Sequence, residues 1–331
     1  MYIVGNYALA VFFTVITMLC WGSWQNTQVL VKNWRFELYY WDFVLGILMF
    51  SVIMAFTLGS IGTQGRGFIE DLKQADIKYI LLASAGGFIW SAGTLLIVAG
   101  IAIAGMSVAF PIGGGIGWVF GIITSYLVRP ESNPGYLFTG TAFILGAIII
   151  NMISYRRMAK TNKRAPFKGI IISVFAGVCL AFFYSFVARS LDTDYAISGM
   201  GKLTPYTAVV FFSVGTLISA IIFNSILMAK PLQGYPVRFK EYFNGTFIEH
   251  SAGILGGLIW GLGNSLSFMA ANVASPAISY ALSNGAVIVA ALWGILYWKE
   301  FRSAPKGTNL MLAFMFICYL IGLILVVAAR L

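Results

Sequence analysis

Residues Tyr79 to Val128 form a run of fifty residues with no charged side chain. A bilayer core of about 30 Å takes roughly 20 apolar residues in one helical crossing, and one helix of this length would reach about 75 Å. The run therefore has to double back as a hairpin of two membrane helices. Ser251 to Trp298 lacks charge in the same way and must fold in the same way. With 60% hydrophobic and 10% charged residues over 331 positions, little is left for a soluble domain. Segments of spanning length fall at Tyr7–Val31, Trp41–Leu58, Ile77–Val98, Ala102–Val128, Tyr136–Tyr155, Gly169–Val187, Leu203–Ala229, Ser251–Asn272, Pro276–Trp298 and Leu310–Ala329. Numbered as spans one to ten, they predict an all-α integral membrane protein, because no ten-residue alternating pattern of a membrane barrel competes.

The net charge of +10 is distributed by loop: fourteen Lys and Arg follow the odd-numbered spans, against seven on the other side. The basic side is expected to be cytoplasmic, with both termini facing outward. Its main contribution, the linker at 156–168, suits contact with lipid phosphates and not nucleic acid. Cys20, Cys179 and Cys318 all fall inside spans and define no disulfide framework. Span one lacks a basic leader and a small-residue cleavage site, so it is expected to be retained.

Self-similarity divides the chain. GGFIWSAG at 86–93 returns as GGLIWGLG at 256–263, an offset of 170 that also pairs Ala104 with Ala274, Val108 with Ile278, Phe110 with Tyr280 and Gly115 with Gly285. Two five-span copies follow, residues 1–155 and 169–331. Five is odd, so the second copy must cross in the opposite sense: a 5+5 inverted repeat, the architecture of many secondary transporters. The repeat puts Trp90 and Trp260 at matched mid-depth positions. Indoles usually sit at the headgroup level, so the pair is expected to face a central cavity and stack on a solute ring. The flanking glycines suit close helix packing. Pro111, Gly113, Gly114 and Gly115 in span four and Gly285 in span nine are expected to interrupt their helices and free backbone groups for a solute.

No ionisable residue lies at mid-depth, which predicts a neutral solute. Amides and hydroxyls fill the role instead: Asn26 and Gln28 in span one, Thr94 in span three, Asn264 in span eight, Tyr280 and Asn284 in span nine. Asp42, Glu249 and His250 stand at span edges, where a coupling proton could bind; helix N-termini also favour acids for local reasons. Arg189 and Lys202 fit as interface anchors. An intramembrane enzyme would need a catalytic constellation at depth, and one histidine without a midplane acid offers none.

LCWGSWQNTQ at 19–28, WRFELYYWDFVLGILMF at 34–50, AIAGMSVAFPIG at 102–113, GKLTPYTAVVFF at 201–212 and ASPAISYALSNGAVIVAALWGILYWKEF at 274–301 resemble the glucose/ribose porter and rhamnose/proton symporter branch of the drug/metabolite transporter superfamily, with ureide permeases nearby. The resemblance implies alternating access coupled to H+ or Na+, no organic cofactor and no metal. It singles out Trp21, Gly22, Ser23, Trp24, Asn26, Asp42 and Glu300, of which Glu300 reads equally well as an ion-pair partner of Lys299. Ureide permeases have a long central loop resembling a nucleotide-binding segment. The linker here is short and has no Walker pattern. The expectation is a bacterial-type inner-membrane symporter, monomer or homodimer among lipids, taking up a small neutral polar solute with a monosaccharide foremost. A ureide, nucleobase or nucleoside permease, a metabolite exporter and a non-transporting scaffold or sensor are the alternatives.

Overall fold

The computed structural model describes every residue except 32, 63, 159–165, 194, 196–200, 232–233, 300–301, 303 and 331; the side chains at 106, 107, 110, 111 and 158 also lie outside the described residues. The Pro111 ring, Glu300 and the centre of the linker therefore carry no structural statement.

The described backbone is helical almost throughout. Span one is α1 (Tyr7–Ser23) with the short α2 (Asn26–Leu30), and span two is α3 (Phe36–Phe56). A short helix, α4 (Phe68–Gln74), leads into α5 (Ile77–Ala104), α6 (Met106–Val128) and α7 (Pro134–Met158), which are spans three to five. Spans six and seven are α8 (Phe167–Ser190) and α9 (Pro205–Ser219), the latter continued by a π-helical turn at Ala220–Asn224 and α10 (Ser225–Ala229). Next comes α11 (Phe239–Phe243), then α12 (Phe247–Ala274) as span eight, α13 (Pro276–Ser283) and α14 (Ala286–Leu292) as span nine, and α15 (Thr308–Ala328) as span ten. Among the described residues nine helical segments are long and apolar enough to cross a bilayer, and a further one, within α6, has a shorter apolar stretch at Ile112–Val128. The protein is an all-helical integral membrane protein.

Matched positions share more than sequence. Helices α5 and α12 are both 28 residues long. The residues that follow them adopt the same unusual backbone: Gly105 at φ 83°, ψ 154° and Ser275 at φ 77°, ψ 152°. Positive φ is strained for a serine; the Ser275 hydroxyl helps hold it there by bonding Ser132 Oγ at 2.8 Å. Glycines repeat their contacts as well. The position of a Cβ on Gly87 is filled by the Phe212 backbone and that on Gly257 by the Phe43 backbone, while Gly215 and Gly46 abut the backbones of Ser84 and Ile254. The paired glycines of each octet thus bring two backbones together, as small residues do between membrane helices.

These contacts also fix direction. Helix α3 runs with α12, since Asp42 meets Gly253, Phe43 meets Gly257 and Phe50 meets Gly261. Helix α5 runs with α9: Asp76 N–H donates to Gly201 O, Gly87 meets Phe212, and Phe88 meets Phe223. Helices α3 and α9 oppose each other, with Asn224 Nδ2 donating to Glu37 O at 2.8 Å and Gly59 against Tyr206. It follows that α5 and α12 run in opposite senses.

The packed bodies do not coincide with the sequence halves. Helices α1, α3, α12, α13 and α14 pack on one another, and α5, α6, α8 and α9 do likewise. Each body takes two spans from each half of the chain. They meet where α3 crosses α9, where α13 touches α6, and at the centre; α7 and α15 pair at the edge. One face of the bundle carries Met1, Arg330 and α4 (the terminal face), and the other carries α11 and the start of α8, which follows the linker (the linker face).

Span nine is interrupted at Asn284 and Gly285, between α13 and α14. The matching interruption in span four is absent, because α6 is continuously helical through Gly113, Gly114 and Gly115. Ordinary i to i−4 bonding tolerates glycines when neighbouring helices pack on them, and Gly113 and Gly117 lie against α8. Span one breaks instead, between Ser23 and Asn26, beside the break in span nine: the place of a Cβ on Gly22 is taken by Ala286 O and Val289.

Candidate functional site

Aromatic rings fill the junction of the two bodies. Trp90 on α5 and Trp260 on α12 have ring centroids 4.0 Å apart with planes at 33°. No gap separates them here, so the two indoles close on each other and an intervening ring would have to part them. Trp21 stacks on Trp260 at 5.7 Å with planes 8° apart. Phe212 lies 5.8 Å from Trp260 and 5.9 Å from Trp90, and Phe43 lies 6.4 Å from each. Trp24 backs Phe43 at 4.4 Å, and Phe183 backs Phe212 at 6.1 Å. Phe43, Phe212 and Phe183 were not singled out by sequence reasoning. A signal was available, since each of Phe43 and Phe212 stands three residues before a packing glycine, Gly46 in span two and Gly215 in span seven.

Polar side chains next to this cluster fall into two groups. Asn264 is fully buried, and among the described residues neither its Oδ1 nor its Nδ2 has a hydrogen-bond partner; Trp21 Nε1 is likewise buried and unpartnered among them. Thr94, at the matched place on α5, is buried. The others are engaged. Asn26 Nδ2 donates to Ser23 O at 2.9 Å and its Oδ1 accepts from Trp298 Nε1 at 2.7 Å, which ties the break in span one to the end of span nine. Gln28 is half-buried on α2. Tyr280 donates to Gly117 O and Leu180 O, both at 3.1 Å, and Asn284 Nδ2 donates to Tyr280 O at 2.8 Å. Tyr184, which the sequence reading passed over, joins Ser267 and Ser279 through bonds of 2.9 and 3.1 Å in a hydroxyl network between the bodies.

Toward the linker face, Asp42 gathers a second cluster. Its side chain is almost fully buried, and His250 Nδ1 lies 3.0 and 2.9 Å from the two carboxylate oxygens. Tyr242, on the short helix α11, donates to Asp42 Oδ1 at 2.7 Å. Burial and the adjacent carboxylate push the Tyr242 hydroxyl well above its usual range, so it stays a donor. Glu249 takes no part: its carboxylate accepts from Thr246 N–H at 2.7 Å and Thr246 Oγ1 at 2.8 Å, a capping box at the start of α12. Of the three coupling residues suggested by sequence, the structure joins Asp42 to His250, leaves Glu249 outside and adds Tyr242.

The terminal face holds a different arrangement. Arg66 bonds Asp71 at 2.6 Å and Asp192 at 2.8 Å. Asp71 also accepts from Thr204 N–H at 2.8 Å and Gln74 Nε2 at 2.9 Å, which clamps α4 to the approach of α9. Arg129 donates to Asn272 O at 3.0 Å and pairs with Glu131 at 2.6 Å, holding the Glu131 carboxyl below the usual carboxylate range. A cavity of about 240 Å³ beside this clamp is lined by Arg129, Arg189, Lys202 and Asn272 among others.

Among the described residues the apolar helices of this integral membrane protein enclose an aromatic junction, and the ion pairs and the Asp42 cluster lie toward the faces. The Ureide permease family model matches residues 39–165 and 147–329. The chain belongs to that family, and the two matched pieces overlap at 147–165. Ureide permease 1 of Arabidopsis thaliana is 25% identical over 99% of each chain, and ureide permease 2 of the same plant is 26% identical over 96% of each. A putative sugar uptake protein of Streptococcus pyogenes serotype M6 is 24% identical over 95% of this chain and 97% of its own length.

Proposed function

We propose that the protein is a secondary active transporter that carries a small neutral polar solute by alternating access and draws on an ion gradient, with H+ ahead of Na+. The observation that carries this reading is the contact between Trp90 and Trp260, contributed by oppositely directed helices of two separately packed bodies. Parting the bodies at one face and then the other would expose the same aromatic surfaces to each side in turn, the behaviour of inverted-repeat transporters. The matched helices, backbone angles and glycine contacts support two copies of five spans, set in the drug/metabolite transporter superfamily.

A heterocyclic ureide or nucleobase now stands ahead of the monosaccharide expected from sequence. Family membership and the names of the plant relatives support the first, and the name of the streptococcal relative keeps the sugar as a second reading. Flat indole faces suit a planar ring, and the scarcity of charge at the junction suits a neutral one. Asp42 with His250 and Tyr242 is the proposed proton site, since a buried carboxylate beside an imidazole can exchange a proton without leaving an isolated charge. The basic loops support both termini extracytoplasmic, and uptake is the proposed direction; export and a non-transporting role are the rivals. The test is uptake of labelled allantoin, uracil, rhamnose and glucose into proteoliposomes under an imposed pH gradient or a sodium gradient. Accumulation of one solute class that collapses with the gradient is expected. Exchange without accumulation would remove the coupling, and no movement of any solute would remove the transport reading.

A further inference from the structure

We propose that Asn264 reads the edge of the transported solute, taking a carbonyl and an N–H that lie side by side, the edge of a cis-amide or a urea. The proposal rests on the transport reading above and assigns its specificity to one residue. Asn264 is fully buried, yet its acceptor and both its donors are unspent. An amide left in this state in an apolar interior is strongly unfavourable, so something that visits the site is expected to complete it. Its surroundings say what. Trp260, Gly263, Asn264 and Ser267 share one face of α12, at intervals of three, four and seven residues. Trp21 lies over Trp260 on that face, and a Cβ on Gly263 would stand 3.1 Å from its unpartnered Nε1. Flat apolar plates and three unspent polar atoms therefore adjoin.

Neighbouring hydroxyls and amides do not absorb Asn264. Ser267 is held by Tyr184, Ser279 and Ser283 at 2.9, 3.2 and 3.2 Å, and Asn284 donates to Tyr280 O. Nor does the scaffold require an asparagine, because the matched position on α5 is Thr94. The side-chain amide is planar, with donor and acceptor side by side, and its complement is a second planar group offering acceptor and donor at the same spacing. Such a group would also lie flat against an indole, which a puckered hydroxylated ring does less well.

The test is counterflow by the full-length protein in proteoliposomes, using labelled allantoin, rhamnose and 2-aminoimidazoline, a cyclic guanidine with two adjacent donors. The parental protein is expected to exchange allantoin. Asn264→Leu should slow that exchange about 30-fold, the scale of leaving a solute's polar edge unmatched, and Asn264→Thr, which copies α5, should do the same with an unchanged Tm in the absence of solute. Asn264→Asp presents two acceptors, and the preference should move from allantoin to 2-aminoimidazoline. Loss of the allantoin-induced rise in Tm in the Thr variant would support a solute contact over a structural role. Parental exchange rates and an unchanged preference in all folded variants would overturn the proposal while transport stood. So would parental exchange of rhamnose without allantoin. A parental protein that exchanged none of the three, nor uracil or glucose, would overturn the transport reading and this proposal with it.

Discussion

Helices α5 and α12 share their length, the Gly-Gly-x-Ile-Trp core of their octets and the backbone turn that follows, yet they diverge one turn beyond the tryptophan. Helix α5 continues with Thr94 and Ile97, whereas α12 continues with Asn264 and Ser267. What remained alike is what two opposed bodies need in order to fit together: glycines at the crossings and indoles at the junction. What became unlike is hydrogen-bonding capacity. A second contrast follows the same division, since the terminal face carries a three-way ion clamp on Arg66 while the linker face carries the acid, imidazole and phenol around Asp42. The likeness of α5 and α12 lies in their packing positions, and their difference lies in hydrogen-bonding groups.

Substitution at the shared positions should give the largest effects and nearly equal ones in both halves. Gly87→Val and Gly257→Val each push a side chain into a facing backbone. Each should cost about 3 kcal/mol or more, the upper end for overpacking, and reduce the yield of monodisperse protein to a similar extent. If one glycine tolerated valine and the other did not, the equivalence of the crossings would fail. Next comes the unshared cluster: Asp42→Asn is expected to abolish gradient-driven accumulation while leaving counterflow intact, and accumulation at the parental level would move the coupling site elsewhere. Smaller effects should follow at the indoles. Trp260→Phe loses stacking on both Trp90 and Trp21, whereas Trp90→Phe loses one indole contact. Solute affinity measured by thermal shift should therefore fall about tenfold for Trp260→Phe and about threefold for Trp90→Phe, given the usual worth of an aromatic pair. Equal losses would mean that Trp21 is a bystander. The smallest change belongs to Tyr242→Phe, which removes one donor from Asp42 and should lower driven uptake about twofold.

The fold was legible because a membrane removes alternatives. Spans, hairpins and the repeated octet follow from charge-free lengths and one offset, and α5 and α12 contain the predicted spans three and eight whole, running past Val98 in the one and past Ser251 and Asn272 in the other. The packing of spans one and two on spans eight and nine was not legible, because the apolar composition of the two halves is alike and gives no preference for a partner. Glycines misled in span four: Gly113 to Gly115 signal a weak helix, but the backbone there keeps its bonds and glycine serves helix packing. Site residues divided in the same manner. Trp90 and Trp260 could be found from the repeat, while the union of Asp42, His250 and Tyr242 spans 208 positions and no local pattern announces it. Glu249 looked as promising as His250 until its capping bond accounted for it.

The central claim, that two mixed bodies tilt about the Trp90 and Trp260 contact, can be tested through distances between spin labels on a version lacking Cys20, Cys179 and Cys318. One pair would replace the exposed Leu58 and Ile77 at the terminal face, and the other the exposed Phe167 and Ile248 at the linker face. Each pair joins one body to the other. On adding a transported solute, the account predicts that one distance lengthens as the other shortens. Two distances that stay fixed, or that lengthen and shorten together, would contradict it.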